Sequence, residues 1–245
     1  MKKFRFILSG FILFVILGCE KNSGDNSGDG IIVPEGERYG EIITGGEYHL
    51  GPVDWEESSY TNAFGPYPEK IQQIEGKYLA GLELTHNGKG EICDACIKIE
   101  TDRGKSLILR VITTGYTTPN SIDVSPAAYE ILNSGEYPRY MSWYVVKCPD
   151  NGKNIYYQFK SQSNPWWTAV WVRNVSLPVL KVEAKSEMHT EWQTLTRESD
   201  GSYVDHSGFG TGSFSIRVTA IDGTLIEDTY SVYTPGDLLE SGSQF

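Results

Sequence analysis

The chain has 245 residues, 39% of them hydrophobic, with 32 acidic against 21 basic side chains and a formal net charge of −11. That length allows one large domain or two of ordinary size. The acidic balance argues against DNA, RNA, anionic lipid and anionic wall polymers as ligands, since neutralising phosphate needs the opposite sign, and it favours neutral ones.

The first element is a leader. Lys2, Lys3 and Arg5 make a cationic start, and Phe6 to Leu17 is an apolar run. The run is short of the roughly 20 residues a membrane-spanning helix needs, so a secretory signal is the better reading. It ends in Ile16-Leu17-Gly18-Cys19, which resembles the lipobox of bacterial lipoproteins. That resemblance implies a signal peptide over residues 1–18, cleavage before Cys19, and acylation of its thiol and new amino terminus. Cleavage removes three cations and no anion, moving the formal net charge to −14. Acyl chains gain about 0.8 kcal/mol per buried CH₂, so the expected protein is membrane-tethered, not membrane-embedded. Residues 19–36 begin Cys-Glu-Lys-Asn-Ser-Gly and carry no apolar periodicity, which predicts a flexible linker. Glu20 is not the aspartate associated with inner-membrane retention, so in a Gram-negative cell the expected location is the outer membrane or the cell surface.

The body that follows is rich in turn signals, among them TGGEYHLGP, TDRGKS, PDNGKN, ESDGS and AIDGT. Between them lie short β-rich runs such as ACIKIE, SLILRVIT, WYVVKC, YYQFK, VLKVEAK and SFSIRVTA. Strands at this spacing predict barrels or sandwiches. The one convincing helix signal is Ser125-Pro126 followed by AAYEIL, with Ser before the first turn and Pro at its first position. GFGTGS precedes a strand and not a helix, so it reads as a turn and not as a phosphate loop. Apart from Cys19 the cysteines are Cys93, Cys96 and Cys148. Zinc wants four ligands and no second pair stands at ligand spacing, so no metal is expected. In an exported protein one disulfide from Cys148 to either Cys93 or Cys96 is expected, leaving one thiol over. His49, His86, His189 and His206 are scattered and read as surface or turn residues.

Two adjacent tryptophans stand in Ser163-Asn164-Pro165-Trp166-Trp167, ahead of a strand that carries Trp171 and Arg173. Neighbouring strand residues point to opposite faces. The pair therefore belongs either to a core strand or to an exposed aromatic platform. For a platform, Pro165 must interrupt the strand, so that Trp166 lies in a loop and Trp167 begins the regular run. Val170 and Val172 then share one face, and Trp167, Ala169, Trp171 and Arg173 the other. The charge on Arg173 argues that the odd-numbered face is the wet one.

The stretches IDVSPAAYEIL, WYVVKCP and YYQFKSQSNPWWTAVWVRNVSLPVLKVEA, followed in order by EWQTL, GTGSFSIRVT and DGT, resemble a bacterial expansin. The resemblance covers roughly Tyr39 to Tyr233. It implies a mainly β chain, with a six-stranded double-psi β-barrel related to family-45 endoglucanases followed by an immunoglobulin-like β-sandwich. The expected boundaries are 37–145 for the barrel, 146–236 for the carbohydrate-binding sandwich and 237–245 for a tail. It further implies that Trp166 and Trp167 stack on the apolar faces of a neutral polysaccharide such as cellulose or another β-glucan, with peptidoglycan and hemicellulose as further candidates. Such stacking buries area at about 25 cal/mol/Å². Lys160 matches a family lysine beside the platform. The family's third aromatic falls at Gly201, so Tyr203, or Trp171 four residues along from Trp167, is expected to complete the strip.

In the barrel, Asp123 matches the aspartate that corresponds to the general acid of the related endoglucanases, with Thr44 and Tyr116 expected to line the same groove. Thr113 or Thr114 stands where the family keeps a second aspartate. Glycoside hydrolysis usually needs two carboxyl groups. Glu91, Asp94 and Asp102 read as solvated turn or edge residues. The expectation is therefore a monomeric, non-hydrolytic protein without cofactor, which loosens polymer contacts. The alternatives are a degenerate lytic glycoside hydrolase and a polysaccharide-adhesion lipoprotein.

Overall fold

The computed structural model describes residues 38–55, 64–83, 90–115 and 120–245. The signal peptide, Cys19, the linker, His86 and Tyr116 lie outside the described residues.

Six strands close a barrel: β1 (Arg38–Leu50), β2 (Leu79–Glu83), β3 (Cys96–Thr101), β4 (Ser106–Gly115), β5 (Ser121–Val124) and β6 (Tyr140–Val146). Their order is β1-β5-β2-β4-β3-β6. The β1/β5 and β2/β4 pairs are parallel and the rest antiparallel, as the crossovers of a double-psi barrel require. Tyr48, Leu82, Ile97, Leu109, Ile122 and Trp143 fill its interior. Two helices flank it, α1 (Glu69–Glu75) and α2 (Pro126–Leu132). The second is the helix signalled by Ser125-Pro126. The Ser125 hydroxyl accepts from Ala128 N at 3.3 Å and from Leu79 N at 3.2 Å, and donates to Lys77 O at 2.7 Å. One buried cap thus fixes the helix start and ties it to β2.

The remaining strands are β7 (Tyr156–Phe159), β8 (Thr168–Arg173), β9 (Val179–Ser186), β10 (Gln193–Thr194), β11 (Thr196–Arg197), β12 (Tyr203–Asp205), β13 (Phe214–Ala220), β14 (Leu225–Tyr230) and β15 (Leu238–Glu240). They form a four-stranded sheet, β10-β9-β13-β14, and a five-stranded sheet, β11-β12-β8-β7-β15. β13 alternates buried and half-buried residues from Phe214 to Ala220, as a strand with one face in the core must. Residues 237–245, expected as a tail, instead supply β15, whose Leu238–Glu240 pair with β7 and extend the sheet. GFGTGS is a turn closed by Glu187, whose carboxylate accepts from the backbone N–H groups of Thr211 and Gly212.

The disulfide joins Cys148 to Cys96, and Cys93 is free. The free thiol is packed against Gly201, where no Cβ would fit.

β8 departs from alternation, because all six of its residues are buried. Val170 and Val172 enter the sandwich core. Trp171 and Arg173, on the other face, are covered by the barrel. Arg173 is 0% exposed and is therefore a correction to the expectation of a wet odd-numbered face. Its Nη1 donates to Asp94 Oδ2 at 3.0 Å, its Nε to Gln158 Oε1 at 2.8 Å and its Nη2 to Phe64 O at 2.7 Å. The guanidinium carbon stands 3.9 Å from the centre of the Tyr67 ring. Asp94, expected as a solvated turn residue, is likewise fully buried. A sequence pattern reports that a charge exists but not that a second domain supplies its counter-charge.

Further bonds cross the same seam. Gln158 donates to Pro66 O at 2.8 Å, Arg110 to Val175 O at 2.6 Å, and Asn174 N to Glu75 Oε1 at 3.0 Å. Burial pushes the Glu75 carboxyl up to about 8, with the Asp94 charge adding to the rise and Arg110 and Arg173 opposing it. The folded state therefore holds this proton more tightly than the unfolded chain does. Stability falls as pH rises through the window between the ordinary glutamate value and about 8. Chemical denaturation from pH 5 to 9 should show that loss in the wild type. Glu75→Gln, which keeps the acceptor for Asn174, should flatten the profile.

Candidate functional site

The paired tryptophans sit in a braced turn. Asn164 and Trp167 exchange two backbone hydrogen bonds, of 2.8 and 3.1 Å, and the Asn164 side chain accepts from Trp166 N at 3.0 Å. Pro165 and Trp166 form the tip, and β8 begins at Thr168. Trp166 is 70% exposed and Trp167 is partly buried. The base of the turn is held from three directions. Gly210 N donates to Pro165 O at 2.8 Å, and Tyr233 OH donates to Asn164 O at 3.0 Å. Gly208, at φ +72°, lies so close to Pro165 that no Cβ would fit. The Tyr233 ring is in turn stacked on Phe159, with centroids 4.2 Å apart. An indole exposed to this degree on a fixed backbone is a preformed stacking surface.

Neither candidate for the third aromatic extends that surface. Trp171 is 5% exposed. Its ring lies against Gly65 of the barrel, where a Cβ would clash, and its Nε1 donates to Asp200 O at 2.9 Å. It wedges the seam between the domains. Tyr203 is directly opposite Val170 across β12 and β8, so it shares the core face. Its hydroxyl is held by Arg197 Nη2 at 2.6 Å. Both are corrections, with one physical cause: register and the neighbouring domain decided which face met water.

Lys160 stands beside this seam. Its Nζ is 2.6 Å from Asp200 Oδ2 and 4.8 Å from the centre of the Trp171 ring, with 16% of the side chain exposed. It borders a cavity of about 560 Å³ that Gly65, Gln158, Gln162, Trp171 and Asp200 also line.

In the barrel, Asp123 belongs to a row that runs across four adjacent strands. His49 on β1 pairs with Asp123 on β5, Asp123 with Gly81 on β2, and Gly81 with Thr113 on β4. Register partners share a face. Gly51 and Gly81 keep this row clear of further side chains, since a Cβ on Gly51 would clash with Asp123 and one on Gly81 with Thr113. Burial raises the Asp123 carboxyl above the usual aspartate range, and the charge of His49 works the other way. His49 is thus a site residue that sequence reading missed, because a parallel pairing joins segments far apart in the chain. Glu47 pairs with Ser121 and Glu83 with Gly115, which puts both glutamates on the face of Asp123, two residues along their strands. Thr44 is exposed and pairs with Ser142 on β6, two residues from the Tyr140 that pairs with Glu47, so it shares the face of Glu47. Glu91 and Asp102 stand outside this row. Among the described residues, no cluster of three or more His, Cys, Asp or Glu is placed to hold a metal.

A six-stranded barrel with parallel crossovers, joined through a buried seam to a sandwich that displays a tryptophan turn, defines a two-domain wall-polymer protein of the expansin kind. No family model matches the chain. Expansin-YoaJ of Bacillus subtilis (strain 168) is 30% identical over 231 residues, covering 94% of this chain and 90% of that protein. The chain belongs to the expansin family. Expansin-like protein 1 of Dictyostelium discoideum is 25% identical over 243 residues, covering 96% and 81%. Among solved structures, an apo expansin of Clavibacter michiganensis aligns with a TM-score of 0.61 at 20% identity, over 68% of this chain and 82% of that one. A mutant of a Clavibacter michiganensis expansin, in complex with cellohexaose, aligns with a TM-score of 0.67 at 17% identity, over 83% and 98%. These two likenesses establish the fold.

Asp123 supplies a test of the groove. Because its carboxyl is raised, its ionised form is disfavoured by the fold, and that penalty is absent below the usual aspartate range and complete above the raised value. Asp123→Asn should therefore unfold at a higher temperature than wild type at pH 7, with the difference vanishing at acid pH. Thermal unfolding across pH measures this directly.

Proposed function

We propose that this expansin binds cellulose or another neutral β-glucan through Trp166 and Trp167, and weakens contacts between polymer chains without cutting them. One observation carries the reading: an indole 70% exposed, beside a second indole, on a turn fixed from three sides. Pyranose rings present apolar C–H faces, and a rigid aromatic surface receives them without ordering cost. Lys160 keeps N–H groups beyond the one given to Asp200, and these can donate to sugar hydroxyls at the platform's edge. Asp123, with His49 and Thr113 in its row, offers a hydrogen-bonding groove on the barrel for the same polymer. Thr44 and Tyr116 are carried over as groove residues by the family resemblance. A chain of net charge −11 suits a neutral ligand.

The remainder of the reading concerns where this happens. The leader and the Ile16-Leu17-Gly18-Cys19 motif support export and a lipid anchor at Cys19, with residues 19–36 as the spacer and the chain acting as a monomer at the outer membrane or cell surface.

A cutting enzyme is the second reading. Glu83 stands diagonally across the β2/β5 pair from Asp123 on one face, a placement that puts Cα positions about 7 Å apart. Two carboxyl-bearing residues on one face are what a glycoside hydrolase usually needs.

Retention of the full-length chain on insoluble cellulose, with reducing ends assayed in the supernatant, separates the readings. Trp166→Ala with Trp167→Ala should lower retention at least ten-fold at unchanged thermal stability, and no new ends should appear with either protein. Retention that ignores both substitutions would remove the tryptophan turn from the function. New reducing ends that vanish in Asp123→Asn or Glu83→Gln would establish the enzyme instead.

A further inference from the structure

A second aromatic surface stands on the barrel, away from the tryptophan turn. Tyr137 is 82% exposed, more than Trp166. Its ring covers the guanidinium of Arg139 at 5.7 Å, and the ring of Tyr129 on α2 stands 5.2 Å from the same guanidinium. Arg139 is thus held between two tyrosines. Tyr129 in turn meets the buried Tyr48, with centroids 6.1 Å apart.

The segment that carries Tyr137 is tied down along its length. Tyr48 OH donates to Glu136 Oε1 at 2.7 Å and lies 3.1 Å from Leu132 O. Ser134 N donates to Glu136 Oε2 at 2.8 Å, and Tyr48 N donates to Arg139 O at 3.1 Å. An aromatic ring that is solvated on one side and braced by a stacked cation on the other has little freedom left to lose on binding. Glu136 and Arg139 bring one charge of each sign to the segment, and the charge of Arg103 also acts on Glu136.

We propose that Tyr137, braced by Arg139 and Tyr129, is a second platform for a β-glucan chain. The proposal rests on the glucan-binding reading above and adds a separate site to it. The chemistry is that of the tryptophan turn: one flat, preformed ring with hydrogen-bonding groups at its rim. A protein partner is less well served, because the apolar area is small and broken by Arg139 and Glu136. Tyr137 lies in the segment between α2 and β6, outside the row of paired strand residues that carries His49, Asp123 and Gly81. It receives a different stretch of the polymer, or an adjacent polymer chain. Two platforms on domains joined by a buried seam make the second contact intramolecular, which raises avidity without a stronger single contact. A body that grips two chains at once is also suited to shifting one against the other.

The test uses retention of the full-length chain on insoluble cellulose, in five forms: wild type, Tyr137→Ala, Tyr137→Phe and the Trp166→Ala/Trp167→Ala variant with and without Tyr137→Ala. Tyr137→Ala should weaken retention about five-fold and Tyr137→Phe should match wild type, both with unchanged thermal unfolding. In the background that lacks Trp166 and Trp167, Tyr137→Ala should abolish what retention is left. Equal retention of Tyr137→Ala and wild type in both backgrounds overturns the platform while leaving the tryptophan turn intact. A change in sedimentation behaviour without a change in retention overturns it in favour of a contact between copies of the chain. Absence of wild-type retention overturns the glucan reading, and the platform with it.

Discussion

The arrangement of this protein depends on one buried charge. Arg173, at the end of a sandwich strand, is matched by Asp94 from the barrel and by carbonyl and ring acceptors on both sides of the seam. A buried ion pair returns little net stability, because desolvating both groups costs about what their attraction gains. Breaking it is another matter, since either charge left alone in the interior costs about 3–5 kcal/mol. The pair therefore acts chiefly as a register key. Only the docking that brings Asp94, Phe64 O and Gln158 to the guanidinium satisfies it.

That constraint fixes what the rest of β8 can do. With Arg173 and Trp171 committed to the seam and Val170 and Val172 to the sandwich core, the strand has no free face along its regular length. The only part of the segment left to water is the turn that precedes it, where Pro165 lifts Trp166 out of the sheet. The exposed tryptophan turn is in this sense a remainder. It is what one strand could still display after serving two cores. The same docking sets the barrel's Asp123 row and the tryptophan turn in a fixed relation, through the Arg110, Gln158 and Asn174 bonds as well as the ion pair.

The chemistry offered by these surfaces is of one kind. Exposed indole and phenol rings, a half-buried carboxyl beside an imidazole and a net acidic charge suit a ligand that is flat, neutral and rich in hydroxyls. Stacking of this sort is weak per contact and tolerant of position, which suits a protein acting along a polymer.

By itself the sequence determined the class and most of the local structure. Turn spacing and β-rich runs gave the strands, Ser125-Pro126 the second helix, and the order of motifs around Pro165-Trp166-Trp167 the family and the exposed tip. These are local properties, set by backbone preference and by neighbours in the chain. The second set of decisions belonged to the tertiary structure. Arg173 was buried because another domain supplied its counter-charge. Trp171 became a wedge because Gly65 left a hollow for it, and Tyr203 entered the core because it faces Val170. His49 met Asp123 only when two strands distant in sequence paired in parallel, and Cys148 chose Cys96 over Cys93 when β3 came alongside the end of β6. Each outcome turns on which surface packs against which, and a pattern read along one chain carries the faces of its strands but not the identity of what will cover them.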